Sequence, residues 1–360
     1  MNEEDKLYRD LQLHLDEQTI GFPATESGSE IRLLKHFFSP KQAKIAMMLA
    51  YKYETLDHIY EGAKGIVSRE ELECLLDETA ARGSIGYRKK EDVKQYRNIP
   101  YVFGMDDAVA YNANPELFVA ATEYSENPSA WKAFLKTKIP QMRTIPIGQS
   151  LTADQHINTY DDIQQIIQTT ADPIAVIECA CRNNAEQIGE PCKLTSRKET
   201  CMVLHDGAIN LIDRGDARKI SKEEAIKILK RNEGAGMVLH ASNAQRPDII
   251  CSCCGCCCKI LRLYKAVLNS AHYCASNFFS VVDTDLCSGC SICEDNCQLD
   301  AISFHEEMKI PLIDLTRCLG CGTCVAFCPD GAMELRRKGA EVVPPQTGEE
   351  MLEIIMTNKS

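Results

Sequence analysis

Residues 287–298 read CSGCSICEDNCQ, and residues 318–329 read CLGCGTCVAFCP, so one spacing of four cysteines occurs twice. In this spacing three thiolates wrap one corner of an iron–sulfur cubane, and the fourth cysteine of each run binds the other cluster. Zinc favours paired Cys-x2-Cys sets, so zinc fits two runs of four cysteines less well. The sequence therefore predicts two [4Fe–4S] clusters, one held by Cys287, Cys290, Cys293 and Cys328, the other by Cys318, Cys321, Cys324 and Cys297.

The residues around these two runs agree with that prediction. Short apolar segments are predicted to be strands that shield the clusters from water, and they lie at 301–304, 310–313 and 332–335. The first run departs from the usual pattern at one position, because Gln298 stands where the second run has Pro329. This exchange removes no ligand.

Four thiols between residues 179 and 201 form a second candidate site. A buried strand is predicted at 174–177, which would place the site at the edge of a sheet, and Arg182 offers a positive charge beside the thiolates. The leading interpretation is a third iron–sulfur cluster, held here or shared with the next motif, with structural zinc and free thiols as alternatives. The candidate metal ligands are Cys179, Cys181, Cys192 and Cys201.

The segment 251–258 reads CSCCGCCC and carries six thiols in eight residues. Adjacent side chains of an extended chain point to opposite faces, so these thiols cannot all face one metal. We expect the segment to divide its ligands between two sites, or between one site and spare thiols. The candidate metal ligands are Cys251, Cys253, Cys254, Cys256, Cys257 and Cys258.

The remaining cysteines and the histidines carry weaker signals. Cys74 lies in a predicted helix and is interpreted as a small core residue, whereas Cys274 is left unassigned. His205, His240 and His272 lie near the cysteine-rich regions, where ligand or proton-relay roles compete with ordinary packing.

The composition of the whole chain restricts its class. The 360 residues include 20 cysteines and carry a net charge of −12, with 44% hydrophobic residues. No apolar run approaches the roughly 20 residues of a membrane-spanning helix, and the acidic start lacks the features of a signal peptide. We therefore expect a cytoplasmic protein, in which thiols serve as metal ligands more often than as disulfides.

The order of predicted elements indicates an α+β multidomain protein. An N-terminal helix and a winged-helix-like module occupy residues 1–104, with helices starting at Ser39-Pro40 and Ser68 and strands at 84–88 and 98–103. A connector follows at 105–158. A small α/β cysteine-rich region at 159–278 precedes a ferredoxin-like two-cluster domain at 279–338 and a tail at 339–360.

The chain resembles winged-helix/4Fe–4S ferredoxin-type iron–sulfur proteins of anaerobic bacteria and archaea. Besides the cysteine repeat, the resemblance rests on GFPATESG at 21–28, LLKHFFSPKQA at 33–43, CACR at 179–182 and CSCCGCCC at 251–258. The tripeptide Cys253-Cys254-Gly255 is also similar to the CCG signature of heterodisulfide-reductase-type subunits. The resemblance implies electron transfer as a companion to larger redox enzymes.

The leading functional hypothesis is an electron-transfer protein or subunit that relays single electrons between redox partner proteins in anaerobic metabolism. From Val281 to Lys338, ten acidic residues face five basic ones, so a partner with a basic docking patch is expected. A catalytic oxidoreductase, with substrate at an unusual cluster near 251–258, is one alternative.

A redox-sensing winged-helix regulator is the other alternative. The predicted wing is basic, but the candidate recognition helix at 68–81 is acidic and would be repelled by phosphates, so we expect no nucleic-acid partner. The basic residues of the wing are Arg82, Arg88, Lys89, Lys90, Lys94 and Arg97.

Overall fold

The computed structural model describes residues 2–109, 114–151, 157–305, 307 and 309–359. The chain is a mixed α/β protein that divides into two compact units. The first unit comprises Met1–Lys138, Ile209–Asp216 and Leu352–Ser360, and the second comprises Ile139–Ala208 and Ala217–Met351. The domain boundaries given above remain predictions.

Helices make up most of the first unit. They are α1 (Glu3–Asp16), α2 (Ser29–Phe37), α3 (Pro40–Ala46), α4 (Leu56–Ala63), α5 (Arg69–Ala81), α6 (Asp106–Val109), α7 (Pro115–Glu126) and α8 (Pro128–Leu135). The strands are β1 (Glu54–Thr55), β2 (Ile85–Lys90) and β3 (Val93–Asn98), which pair antiparallel in the order β1-β3-β2.

Two helix starts predicted from the sequence are confirmed. The Ser39 side chain accepts a hydrogen bond from the Gln42 backbone amide, the Gln42 side chain accepts one from the Ser39 amide, and Pro40 occupies the first turn. The Ser68 hydroxyl likewise accepts from the backbone amide of Glu71 at the start of α5.

The second strand of the first unit was predicted at 98–103, and this is wrong. The hairpin closes earlier, at Glu91 and Asp92, which take positive φ angles of 49° and 66°. Residues 101–105 instead form an irregular turn, in which Val102 is extended and Phe103 takes a positive φ of 60°. The charged stretch between the two predicted strands also belongs to the hairpin. Lys94 in β3 is neutralised by carboxylates of α5 at 2.7–2.8 Å, so charge did not prevent strand formation.

The second unit alternates strands and helices. Its strands are β4 (Met142–Ile145), β5 (Ile174–Glu178), β6 (Glu199–Leu204), β7 (Arg218–Ile220), β8 (Val238–Ser242), β9 (Ile249–Cys253), β10 (Phe278–Val282), β11 (Ile302–His305), β12 (Ile310–Ile313) and β13 (Met333–Arg337). Its helices are α9 (Ile163–Thr169), α10 (Ala180–Gln187), α12 (Lys222–Glu233), α13 (Lys259–Ala266), α14 (Ile292–Asp295) and α15 (Thr323–Ala326); α11 (His205–Asp213) and α16 (Gly348–Thr357) cross the division between units.

A sheet in the order β4-β8-β9-β6-β5-β7 organises the cysteine-rich region, and each neighbouring pair is antiparallel. The apolar side chains of α9 and α12 pack on this sheet and form one buried core with β5, β6 and β8. The order matters for the site because β5, β6 and β9, which are distant in sequence, become neighbours.

The C-terminal part of the second unit contains two smaller antiparallel pairs, β10 with β13 and β11 with β12. The short helices α14 and α15 lie against each other within this part. In the described ranges of the chain, none of the helices combines the length and the apolar character that a membrane crossing needs.

A buried ion pair stabilises the edge of the large sheet. Arg143 on β4 and Asp161 are 1% and 0% exposed, and the Arg143 guanidinium bonds one oxygen of the Asp161 carboxylate. The other oxygen accepts a hydrogen bond of 2.9 Å from the Asn277 side chain. The guanidinium also lies 4.8 Å from the centre of the Tyr160 ring.

Replacing Asp161 should destabilise the second unit strongly. The Asp161→Ala change leaves the Arg143 charge buried without its partner, which costs about 3–5 kcal/mol. Urea unfolding, followed by circular dichroism, measures this loss. The exposed Glu223→Ala change is the control and should alter stability by no more than about 0.5 kcal/mol. Equal midpoints for the two variants would contradict the prediction.

Candidate iron–sulfur and metal centres

The two cysteine runs at 287–297 and 318–328 form matching loop-and-helix turns. The third cysteine of each run lies on a short helix, Cys293 on α14 and Cys324 on α15, and both are buried. Gly320 has a φ of +63°, and its Cα faces the Phe278 carbonyl so closely that any side chain would clash. The loop therefore depends on glycine at this point.

The structure groups the thiols across the two runs. Cys321 and Cys324 each have Cys297 and Cys318 among their charged neighbours, although Cys297 belongs to the first run. Burial, followed by these neighbouring thiolates, raises the pKa of Cys321 to about 11. This arrangement agrees with the proposed second ligand set, and ligation itself stays a prediction.

The other proposed set lies nearer to the surface. Cys290 is exposed and Cys287 is partly exposed, and both are neighbours of the buried Cys293. Cys328 packs at the edge of the same apolar cluster as Cys293, together with Met333. The two proposed cluster positions thus differ in their access to water.

Hydrogen-bond donors surround the sulfurs of the more buried set. The Ser280 hydroxyl lies 3.1 Å from the Cys324 Sγ, and the Ser280 backbone amide donates to the Cys318 Sγ at 3.5 Å. The Ala301 amide donates to the Cys297 Sγ at 3.2 Å. Hydrogen bonds to ligand sulfurs stabilise the reduced cluster and raise its potential.

Six upstream thiols form a closed ring at the ends of three adjacent strands. Cys179 follows β5, Cys201 lies on β6, and Cys251 and Cys253 lie on β9. Each thiol of the ring interacts electrostatically with the next, in the order Cys179, Cys181, Cys258, Cys253, Cys251, Cys201 and back to Cys179.

Contacts within the ring shift the pKa values of its thiols in opposite directions. Hydrogen bonds from Cys201 and Cys253 lower the pKa of Cys251 to about 7, whereas the hydrogen bond to Cys179 raises the pKa of Cys181. Soft thiolate ligands gathered in a buried pocket suit an iron–sulfur cluster or another soft metal.

A separate group of four thiols lies close to Arg182. It contains Cys192, Cys254, Cys256 and Cys257, whose Sγ atoms all lie within 4.8 Å of one another. The sequence had grouped Cys192 with the three other thiols of 179–201, and the structure separates it from them. Burial lowers the pKa of Arg182, but the nearby thiolates of Cys179 and Cys254 outweigh burial and raise it.

The remaining candidates lie outside both groups. Cys74 is exposed and was wrongly predicted to be a core residue, because the buried face of α5 contains Leu72 and Leu76 and not the position between them. Cys274 is buried, with its Sγ 3.3 Å from the Thr144 hydroxyl and 3.8 Å from the His240 Nε2.

The three histidines are dispersed. Burial lowers the pKa of His240 to about 4, so this ring stays neutral. His272 stacks edge-on against Tyr273, and His205 starts α11 with a positive φ. A ligand role for any of them remains a prediction.

The cysteine-rich lobe contacts the C-terminal repeat directly. The Gly255 backbone amide donates a hydrogen bond of 2.8 Å to the side-chain oxygen of Gln298, the residue that replaces the usual proline. A salt bridge of 2.8 Å joins Lys265 to Asp300, and the Ile147 amide donates to the Cys321 carbonyl at 2.9 Å. The sequence offered only the missing proline as a signal for this contact.

Comparison with known proteins supports the assignment of the repeat. Residues 286–332 match the family described as a 4Fe-4S dicluster domain, so this segment is a two-cluster ferredoxin domain that supports an iron–sulfur electron-transfer role. Among curated proteins, indolepyruvate oxidoreductase subunit IorA of Pyrococcus horikoshii is 40% identical over 58 residues, which are 16% of this chain and 9% of IorA.

Two further relatives show the same kind of partial match. A subunit of the ion-translocating oxidoreductase complex of Methanosarcina acetivorans is 46% identical over 50 residues, 14% of this chain and 18% of that subunit. The ferredoxin-type protein NapF of Haemophilus influenzae is 41% identical over 49 residues, 13% of this chain and 28% of NapF. The chain thus spans less than a third of each of these relatives. No solved structure matches it with comparable significance.

Removing the Ser280 hydroxyl should lower the potential of one ferredoxin cluster. In Ser280→Ala the hydroxyl contact to Cys324 is lost, and a contribution of about 1 kcal/mol corresponds to roughly 40 mV for one electron. Redox titration monitored by electron paramagnetic resonance measures the shift. Ser303→Ala, an exposed change on β11, is the control. Unchanged potentials in both variants would contradict a role for Ser280.

Proposed function

We propose that this chain is an iron–sulfur electron-transfer protein or subunit that relays single electrons between redox partner proteins in anaerobic metabolism. The observation that carries the proposal is the two-cluster segment 286–332 in the same compact unit as eleven further thiols. Cysteine ligands hold clusters that supply one-electron transfer with little change of geometry. The partial relatives, two of them named as oxidoreductase subunits, support this interpretation.

We also propose the residues that hold each centre. The eight cysteines of the repeat would hold two [4Fe–4S] clusters in the cross-repeat sets given above. The six-thiol ring would hold at least one further iron–sulfur cluster, because its thiols are soft ligands that several strands position together. The hydrogen bond between Gly255 and Gln298 would hold the cysteine-rich region, which contains the ring, against the ferredoxin domain.

The surface near Cys290 is suited to docking a redox partner. Cys290 is exposed, and close to it in sequence Leu286 is 55% exposed. The exposed carboxylates Asp283, Asp285 and Asp330 belong to the same loops. An apolar side chain among acidic groups favours a partner whose own docking patch is basic.

The first unit would serve as a winged-helix-like module for protein contact. Helices followed by the β2–β3 hairpin, with β1 added at its edge, support this proposal. The basic residues of the hairpin are largely engaged within the unit. Lys94 bonds Glu73 and Asp77, and the Arg88 and Arg97 guanidinium groups lie 4.1 and 4.4 Å from the centre of the Tyr53 ring. Only part of the basic charge is therefore free for phosphates, and the carboxylates of α5 beside Lys94 disfavour the regulator alternative.

Iron counting should separate the centres. Wild-type protein purified without oxygen is expected to contain more than eight iron atoms per chain, with matching sulfide, because the ring adds to two cubanes. Cys321→Ser should lose about four irons, and Cys253→Ser should leave about eight. Cys74→Ser, an exposed cysteine outside all groups, is the matched control. Eight irons in the wild type would contradict a cluster in the ring, and none would overturn the electron-transfer proposal.

Electron transfer to a basic acceptor should depend on salt. Cytochrome c serves as a probe, and we expect its reduction by the dithionite-reduced, desalted protein to slow as ionic strength rises. The double change Asp283→Asn and Asp285→Asn should slow the reaction several-fold at low salt. Glu223→Gln, which removes one exposed charge on α12, should not. A rate that is insensitive to salt would contradict the docking surface.

A further inference from the structure

The four-thiol group differs from every other set of ligands in its spacing. Among the residues that the structure describes, it is the one group of three or more His, Cys, Asp or Glu side chains whose ligand atoms all lie within 4.8 Å of one another. The Cys192 Sγ lies 3.6 Å from that of Cys254 and 3.8 Å from that of Cys256. The Cys256 Sγ lies 3.5 Å from that of Cys254 and 3.6 Å from that of Cys257.

These separations are those of four ligands around a single ion. In a tetrahedral site with metal–sulfur bonds of about 2.3 Å, the sulfurs are about 3.8 Å apart. In a cubane each thiolate binds a different iron, so the four sulfurs lie farther apart. The repeat provides the comparison within this chain, because neither of its two proposed cubane sets forms such a compact group in the described residues.

We propose that Cys192, Cys254, Cys256 and Cys257 bind one zinc ion in a closed, structural four-thiolate site. Zinc is the ion that tetrahedral sets of four cysteines commonly hold in this closed form. Binding would release the thiol protons, and Zn²⁺ with four thiolates carries a net charge of −2. The proposal is independent of the electron-transfer role, since zinc does not change its oxidation state.

The surroundings suit such an anionic site. The Arg182 side chain is buried, its Nη2 atom lies 3.7 Å from the Cys254 Sγ, and it donates to the Ser252 carbonyl at 3.0 Å. A cation held in place this way offsets part of the thiolate charge. On the apolar side, Ala185 and Leu194 pack against the four cysteines and limit access of water.

The site would have a definite structural task. Cys192 belongs to the segment 188–198, which contains neither helix nor strand, whereas the other three ligands belong to the loop after β9. One ion would therefore fasten this segment to the loop 254–257. That loop is the one whose Gly255 amide bonds Gln298 of the ferredoxin domain, so the ion would also stabilise the contact between the lobes.

Zinc K-edge X-ray absorption of the full-length wild-type protein tests the proposal directly. The expected result is one zinc per chain with four sulfur neighbours at about 2.3 Å. Protein for this measurement is grown with both iron and zinc supplied and is purified without oxygen. Absence of stoichiometric zinc, or nitrogen and oxygen atoms in the zinc shell, would overturn the assignment.

The variant Cys192→Ser provides the second arm. It should lose most of the zinc while keeping the wild-type iron and sulfide content, and Cys74→Ser should keep both metals. A loss of iron from Cys192→Ser, whether one atom or about four per chain, would overturn the zinc site in favour of an iron centre. If Cys192→Ser does not fold, the wild-type absorption spectrum still decides. If the electron-transfer proposal fails, the wild-type protein will lack iron. The zinc measurement does not depend on that result, so the two failures can be distinguished.

Discussion

The alternation of side chains along an extended strand decides where the cysteines of this protein lie. Cys251 and Cys253 are two residues apart on β9 and therefore face the same side, toward the thiols at the ends of β5 and β6. The strand ends at Cys253, and Cys254 belongs to the other group of thiols, with its Sγ 3.7 Å from the Arg182 Nη2. A single crowded segment thus contributes thiols to two separate groups, and its six thiols do not all gather at one point.

The charge of these thiols is the second constraint on the unit. Arg182 is 4% exposed, and its charge interacts with Cys179 of the six-thiol ring and with Cys254 of the four-thiol group. A buried guanidinium is costly unless it is paired, and the sulfurs of both groups are near enough to stabilise its charge. The two groups therefore share one countercharge, and the position of Arg182 at the end of CACR was the only sign of this in the sequence.

Features that depend on residues close together in the sequence could be predicted, whereas features that depend on residues far apart in the sequence could not. The ferredoxin domain was predictable because its ligand spacing is local, and a glycine such as Gly320 reports a close backbone approach. The place of Cys192 was not, because it depends on a strand order that brings residues 254–257 beside 185–194. Likewise β3 was misplaced, since its lysine is neutralised by α5 and only the tertiary structure supplies those carboxylates.

The structure explains why Gln298 departs from the usual motif. Proline at this position would supply no side-chain acceptor, whereas the glutamine oxygen receives the Gly255 amide at 2.8 Å. Gly255 is itself restricted, because a side chain there would collide with the Gln298 carbonyl. The two positions are therefore matched to each other: position 298 has glutamine in place of the usual proline, and position 255 has glycine, which has no side chain. Since Cys297 precedes Gln298 and Cys254 and Cys256 flank Gly255, this contact brings the ligand loops of the cysteine-rich lobe directly against the more buried ligand set of the ferredoxin domain.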